Sequence, residues 1–265
     1  MIYTIIVIYN SEVLLKNKIP NLIICDNSTN IEIKGKNIQF CIKNNINYID
    51  MQENAGITKA YNKAISKIQI SSDNWLIILD QDTLLPKDFI QKFEKAIKEN
   101  PTKKIFIPII KDNVGIMSPT KIKGMGFTHS NAEDFNSHLK TYSFINSGMC
   151  INTTVFSSVI YDEKLFLDMV DHDFVKTVKE KFGSDIFHVI DDISIFQNFS
   201  GVTKNSLSSD LTRFKILIKD QTYFYHKHYG KKGLCYSNKK LLLRAVKLCI
   251  QHKTFKFLNL LRGNI

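Results

Sequence analysis

The sequence predicts an α/β protein built on a mostly parallel central sheet flanked by helices, with a basic helical extension toward its C-terminal end. Two observations predict it. Short apolar runs bounded by polar turns alternate with stretches of helical periodicity, and charge is unevenly distributed along the chain. Strands alternating with helices imply βαβ units and parallel pairing. A chain of 265 residues is long enough for one such domain with a sizeable core plus a small appendage. With 44% hydrophobic and 23% charged residues its composition excludes the disordered and collagen-like classes.

The opening run Ile2–Tyr9 has no basic flank and is too short for a signal peptide or a membrane span, so a buried strand is expected. Leu22–Cys25 and Trp75–Leu79 read as further strands. In Thr58–Ile68, the residues Ala60, Ala64, Ile65 and Ile68 share a helical face. Lys87–Glu99 is the clearest helix: Pro86 suits its first turn, Phe89, Ile90, Phe93, Ala96 and Ile97 recur at helical spacing, and Asn100-Pro101 ends it. Ile105–Ile110 is another buried strand. From Asp112 to Tyr142 the apolar pattern weakens, and a loop-rich insertion or lid is expected. Order returns with Phe144–Asn152, a helix through Asp173–Lys181, and short strands at Phe187–Ile190 and Ile193–Phe196. The expected division is a main domain over residues 1–210 and a helical extension over 211–265.

Net charge is +11, and the tail carries it. From Arg213 to Arg262 there are thirteen Lys or Arg residues against one acid, Asp220, which leaves 23 basic and 24 acidic side chains in residues 1–212. Such a tail suits an anionic partner. In Ser237–Leu261, Lys240, Arg244, Lys247 and Gln251 fall on one helical face, with Leu241, Leu242, Ala245, Val246, Leu248 and Cys249 on the neighbouring faces. A basic amphipathic helix of this kind can rest in anionic lipid headgroups. The alternatives are that its apolar stripe packs on the main domain or on a second subunit, giving a homodimer. The five cysteines are odd in number and lack C-x-x-C spacing, so reduced thiols in a cytoplasmic protein are expected rather than disulfides or a zinc site.

In parallel α/β sheets the ligand sits at the carboxyl ends of the strands. That rule selects Tyr9-Asn10, Asp26-Asn27-Ser28 and Asp80-Gln81-Asp82. Two carboxylates two residues apart at a strand end, Asp80 and Asp82, can share a divalent cation with the phosphates of a ligand; oxygen donors suit Mg²⁺ or Mn²⁺. The plain alternative is a turn stabilised by Asp side chains. A second cluster, Asp168, Asp171 and Asp173, precedes a helix and offers either a general base or an N-cap. His226 and His228, in a basic aromatic stretch, read as surface or packing residues, and Asp191-Asp192 as a turn.

In this order the clusters resemble the inverting nucleotide-sugar glycosyltransferases of the GT-A fold, glycosyltransferase family 2, in its rhamnosyltransferase-like branch. Tyr9-Asn10 matches the end of the opening strand, and Asp26-Asn27-Ser28 the turn after the second. Asn54-Ala-Gly56 through Ala60-Tyr-Asn62 follows an Asn-x-Gly-x-x-x-Ala-x-Asn pattern, and Leu79-Asp80-Gln81-Asp82-Thr83 the Asp-x-Asp element. Ile145-Asn-Ser147-Gly148 is similar to the Ser-Gly strand start, and Leu165-Phe166-Leu-Asp-Met-Val-Asp171 to the segment carrying the base. The resemblance covers residues 1 to 200.

The resemblance implies that Tyr9 and Asp26 hold the nucleotide base, with Asn54, Gly56 and Asn62 shaping the adjoining loop and helix. Asp80 would contact ribose or metal, Asp82 would bind the Mn²⁺ or Mg²⁺ bridging the diphosphate, and Asp171 would deprotonate the acceptor hydroxyl. The implied partners are a nucleotide-sugar donor and a glycan or lipid-linked acceptor at the inner face of the membrane, with no nucleic acid. The chain departs from the pattern in three places. The region between Tyr9 and Asn21 is short, Val170 stands where many relatives have Glu, and Gln197 in Ile195–Gly201 falls where many have a metal-binding His, a place His226 or His228 can fill instead. The competing readings are a haloacid-dehalogenase-type phosphatase, disfavoured by Leu84 two residues after the second Asp, and a degenerate binding protein without turnover.

Overall fold

The structure is a computed structural model and describes residues 1–15, 19–131, 134–197 and 206–262. Strand β1 (Ile2–Ile8) lies between β2 (Leu22–Asp26) and β4 (Trp75–Asp80), and β3 (Asn47–Asp50) completes this half beyond β2; all three pairings are parallel. Helix α1 (Ile31–Lys43) connects β2 to β3, and its first N–H groups are capped by Asn30. Among the described residues no helix joins β1 to β2. Leu76, Ile77 and Ile78 of β4 are fully buried because helices cover both faces of a parallel sheet. Each such side chain contributes roughly 1.5–3 kcal/mol of burial.

Helix α2 (Ile57–Ile65) turns Ala60, Tyr61, Ala64 and Ile65 to one side of the sheet, and α3 (Phe89–Glu99) turns Phe89, Phe93 and Ala96 to the other. β5 (Ile105–Lys111) then begins the second half of the sheet. The stretch expected to be a loop-rich lid is instead an antiparallel hairpin, β6 (Ile116–Lys123) and β7 (Gly126–Ser130), joined to β5. Its alternation is faint because the hairpin mixes buried, half-buried and exposed residues: on β6, paired to both β5 and β7, Lys121 is half-buried with its ammonium over the Tyr142 ring, and Lys123 is exposed. Short β8 (Tyr142–Ser143) pairs with β6, and β9 (Cys150–Asn152) runs antiparallel between β4 and β5. After α4 (Val170–Phe182), the two strands expected at 187–190 and 193–196 form one, β10 (Phe187–Phe196), with a register shift between Ile190 and Ser194. Asp191 and Asp192, expected to form a turn, lie within the strand at that shift, with the Asp192 carbonyl accepting from Lys92 of α3.

The tail forms α5 (Leu207–His252) and α6 (Lys256–Arg262). Gly230, with φ 57° and ψ −141°, breaks α5 into two arms. Contacts between Asp210 and His252, Gln221 and Ser237, and Phe214 and Phe257 show that the arms run antiparallel. The first arm joins the main core through Phe224 and Tyr225. The expected amphipathic stripe is divided: Leu241, Ala245, Leu248 and Cys249 pack inward on Phe214 and Ile218, whereas Leu242, Leu243, Val246 and Ile250 face outward.

Candidate active site

Four backbone turns bring the candidate residues to one end of the parallel strands. Asn10, in the left-handed region at φ 46°, accepts from the Thr29 and Asn30 N–H groups through its side chain and so ties the end of β1 to the turn after β2. Tyr9 projects from this corner with 46% of its surface exposed, and its N–H donates to Gln81 Oε1 at 3.0 Å. Asp26, by contrast, is fully enclosed: its carboxylate accepts from the Ser28 N–H, Asn37 Nδ2 and the Tyr48 hydroxyl, at 2.8 to 2.9 Å. These three bonds brace the corner.

Gly56, at φ 86°, passes so close to Phe166 that an added Cβ would lie 2.7 Å from that ring. The half-buried Asn54 precedes it, and the Gly56 carbonyl accepts from Asn27 Nδ2 at 3.2 Å. Asn62 faces away from this loop. Its amide clamps α2 to Tyr161 and Glu163, giving to the Tyr161 carbonyl at 2.9 Å and accepting from the Tyr161 N–H at 3.1 Å.

Asp80 ends β4 and Asp82 stands exposed two residues on. Burial raises the Asp80 carboxyl above its ordinary range, and the Asp82 charge adds to this; hydrogen bonds from Gln197 and Ser147 pull the other way. Gln197 Nε2 gives to Ser147 Oγ at 2.7 Å and to Thr83 Oγ1 at 3.0 Å, with Asp80 Oδ2 at 3.4 Å, while its buried Oε1 has no partner among the described residues. Two repelling carboxylates beside an orphaned carboxamide oxygen and two hydroxyls make an all-oxygen donor set that suits Mg²⁺ or Mn²⁺. Among the described residues no group of three or more His, Cys, Asp or Glu is gathered for a metal. Neither histidine supplies the missing ligand: His228 is bound to Asp173 at 2.8 Å, and His226 lines a cavity on α5 with Ile218 and Thr222. The Gly201 end of the Gln197 segment lies outside the described residues.

The structure separates the three carboxylates of the second cluster. Asp168 is bound by both terminal nitrogens of Arg213. Asp173 is buried against Lys227 and His228. Asp171 accepts one bond, from Asn146 Nδ2 at 2.8 Å, and its other oxygen has no partner among the described residues. Neither capping alternative holds, because α4 begins on Met169 in the left-handed region with no side-chain cap. Burial, then the negative charge of Asp80, raises the Asp171 carboxyl to about 7 against the pull of Asn146. Motif reading did not give Tyr61 and Tyr161 a role. Their rings lie 5.0 Å apart, Tyr61 near both Asp80 and Asp171, and the Tyr161 hydroxyl orients Asn146 at 3.1 Å.

A parallel βαβ half ending in this carboxylate cleft is the architecture of a GT-A nucleotide-sugar transferase, and solved structures of that fold match it. They include TarS of S. aureus (TM-score 0.53, 14% identity, 87% of this chain and 44% of that one). Another is the mannosyltransferase PcManGT of Pyrobaculum calidifontis, in complex with GDP-Man and Mn²⁺ (TM-score 0.56, 12% identity, 99% and 86%). The family model described as Glycosyl transferase family 2 matches residues 5–166, and the chain belongs to that family. A dTDP-rhamnosyl transferase of Shigella flexneri, RfbF, is 29% identical over 182 residues, covering 64% of this chain; the chain spans 60% of that relative's length.

Proposed function

We propose that the protein is an inverting glycosyltransferase that moves a sugar from a nucleotide-diphosphate donor, dTDP-rhamnose or a UDP-hexose, to a hydroxyl of a growing cell-surface glycan. One observation carries the reading: Asp171, raised to about 7 by burial and then by the charge of Asp80, has one oxygen without a partner among the described residues. A base works best when its pKa lies close to the working pH. In this reading Asp171 takes the proton of the acceptor hydroxyl as that oxygen bonds to the anomeric carbon. The bond from that carbon to the diphosphate breaks on the opposite face, and the nucleoside diphosphate leaves with the electron pair. Asn146, aimed by Tyr161, holds Asp171 in place. Tyr9 offers its exposed ring to the nucleotide base, Asp26 braces the corner around it, Asn62 ties α2 to the 161–163 segment, and Asn54 and Gly56 bring backbone close to the donor. Asp80, Asp82 and the Gln197 carboxamide would hold Mn²⁺ or Mg²⁺, which supplies positive charge against the departing diphosphate. The rhamnosyltransferase relative supports a dTDP-rhamnose donor, and the Mn²⁺ that accompanies GDP-Man in the mannosyltransferase complex supports metal use. The test is nucleoside diphosphate release across a panel of nucleotide sugars with Mn²⁺ and Mg²⁺. Release from dTDP-rhamnose or a UDP-hexose supports the reading, and release from none of the panel overturns it.

The acceptor end of the reading rests on α5. No helix among the described residues is long and apolar enough to cross a membrane. The outer face of the second α5 arm nevertheless exposes Leu243 and Ile250 by 72% and 73%, flanked by Lys239, Arg244 and Lys247, and no acid occurs after Asp220. That face suits an anionic bilayer at the inner side of the plasma membrane, where a lipid-linked acceptor would lie; each basic residue near such a surface is worth roughly 1 kcal/mol. The protein is expected to sediment with phosphatidylglycerol vesicles at low salt and much less with phosphatidylcholine, and Leu243→Glu with Ile250→Glu is expected to abolish the difference. Equal sedimentation with both lipids sinks the membrane contact. A particle mass that doubles with protein concentration and falls in the double variant would assign the stripe to a homodimer.

A further inference from the structure

The one acid in the basic tail, Asp220, is fully buried in the first arm of α5, and no Lys, Arg or His among the described residues donates to it. Its carboxylate accepts instead from three consecutive backbone N–H groups: Phe166 at 3.0 Å, Leu167 at 2.7 Å and Asp168 at 2.8 Å. A buried carboxylate is retained only where hydrogen bonds replace its water, and here a single loop supplies all three. That loop runs directly into Met169, whose left-handed backbone turns the chain into α4 and presents Asp171. On its other side the same loop is tied to the donor corner. The Phe166 carbonyl accepts from the Ile57 N–H at 2.8 Å, and the Leu165 carbonyl accepts from Thr58 Oγ1 at 2.6 Å. Further ties from α5 surround the latch, Arg213 to Asp168, Tyr223 and Lys227 to Asp162, and Lys227 to Asp173. None of them reaches Asp171 itself.

We infer that Asp220 is a positioning residue: it fixes the 166–168 backbone so that Asp171 stands at a set distance from the donor loop at Gly56, which makes the C-terminal helix part of the catalytic apparatus. The inference rests on Asp171 being the base. It gives the tail a role that its charge alone does not suggest. A helix held only by apolar contacts can slide by a fraction of a turn, whereas three amide donors converging on one carboxylate define one register. Displacement of about 1 Å in a reacting group can cost on the order of 10²-fold in rate.

The test uses the full chain carrying Asp220→Asn, which keeps the shape of the side chain but replaces one acceptor oxygen with an NH₂ that meets the loop's N–H groups. Two measurements are made. Amide exchange is followed over residues 163–171, and nucleoside diphosphate release from dTDP-rhamnose and UDP-glucose is measured alongside binding of dTDP and UDP. The expected result is lost protection confined to the 166–168 loop and a tenfold or greater fall in kcat. Binding of the nucleoside diphosphate and the KM for the donor should stay within about twofold. A purely structural residue would instead lower binding, protection in β1 and β4, and turnover together. Should Asp220→Asn fail to fold, Arg213→Met carries the test: Arg213 is half exposed and its loss frees Asp168 at the end of the same loop, with a smaller fall in kcat expected at unchanged binding. A folded Asp220→Asn protein with wild-type kcat overturns the inference, as does a parallel loss of nucleotide binding. Asp171→Asn separates the two levels. If it is inactive while Asp220→Asn turns over normally, the latch alone is wrong; if it keeps the wild-type rate, the base assignment falls first.

Discussion

Replacing Asp171 with Asn is expected to leave donor binding intact and to cut transfer about 10²–10⁴-fold, since an amide cannot accept the acceptor's proton. The substitution is close to isosteric. The bond from Asn146 can be kept by the new amide oxygen, so the loss should fall on kcat and not on the fold. A second consequence follows from the carboxyl lying near 7. The base acts when ionised, so kcat/KM should rise about tenfold per pH unit up to that value and level off above it; Asp171→Asn should erase this limb. Stability runs the other way. A carboxyl raised above its ordinary range favours the folded state while protonated; that contribution is fully present below the unfolded value and is lost as pH rises through about 7. At pH 8 the Asn variant should therefore melt no lower than the wild type, which separates a lost base from a lost fold. A wild-type rate in Asp171→Asn, with the loss appearing in Asp168→Asn or Asp173→Asn, would mean that another carboxylate is the base. Both alternatives are already bound to cations from α5.

Asp82→Ala is expected to abolish metal-dependent release of nucleoside diphosphate at an unchanged melting temperature. Asp82 is exposed, so its removal strands no buried partner. It does remove half of the paired charge that would draw a divalent cation to the strand end, and with it the repulsion that adds to the effect of burial on Asp80. Mn²⁺ titration followed by electron paramagnetic resonance reads the site without turnover: the variant should bind the ion weakly or not at all. Undiminished activity and Mn²⁺ binding in Asp82→Ala would exclude it as a ligand.

The strand ends were legible because a polar cluster closing a short apolar run marks the carboxyl edge of a parallel sheet, and Tyr9, Asp26 and Asp80 all mark such ends. Helix α3 was legible from its apolar spacing and its Pro and Asn-Pro boundaries. The β6–β7 hairpin was not, because its strands mix buried, half-buried and exposed residues without a period of two. Helix α1 and strand β3 were missed for a related reason: β3 has no fully buried residue, and α1 buries only Asn37 and Cys41. Motif order pointed to Asp171 in a string of three acids, yet spacing alone could not set it apart from its neighbours.

Residue order alone therefore set the alternation of strands and helices, the cluster of carboxylates at the strand ends and the concentration of positive charge in the tail. These are local properties, governed by hydrophobic period, turn chemistry and composition. Which carboxylate is free depended on the folded chain. Arg213 and Lys227 reach Asp168 and Asp173 across some 45 to 54 residues and neutralise them, and His228 hydrogen-bonds Asp173; among the described residues Asp171 accepts only from a neutral amide and feels the repelling charges of Asp80 and Asp168. Folding also turned the lone acid of the tail inward onto three N–H groups of the loop that carries the base. Electrostatic environment and hydrogen-bond saturation depend on what the fold brings within a few ångströms, and no spacing along the chain encodes that.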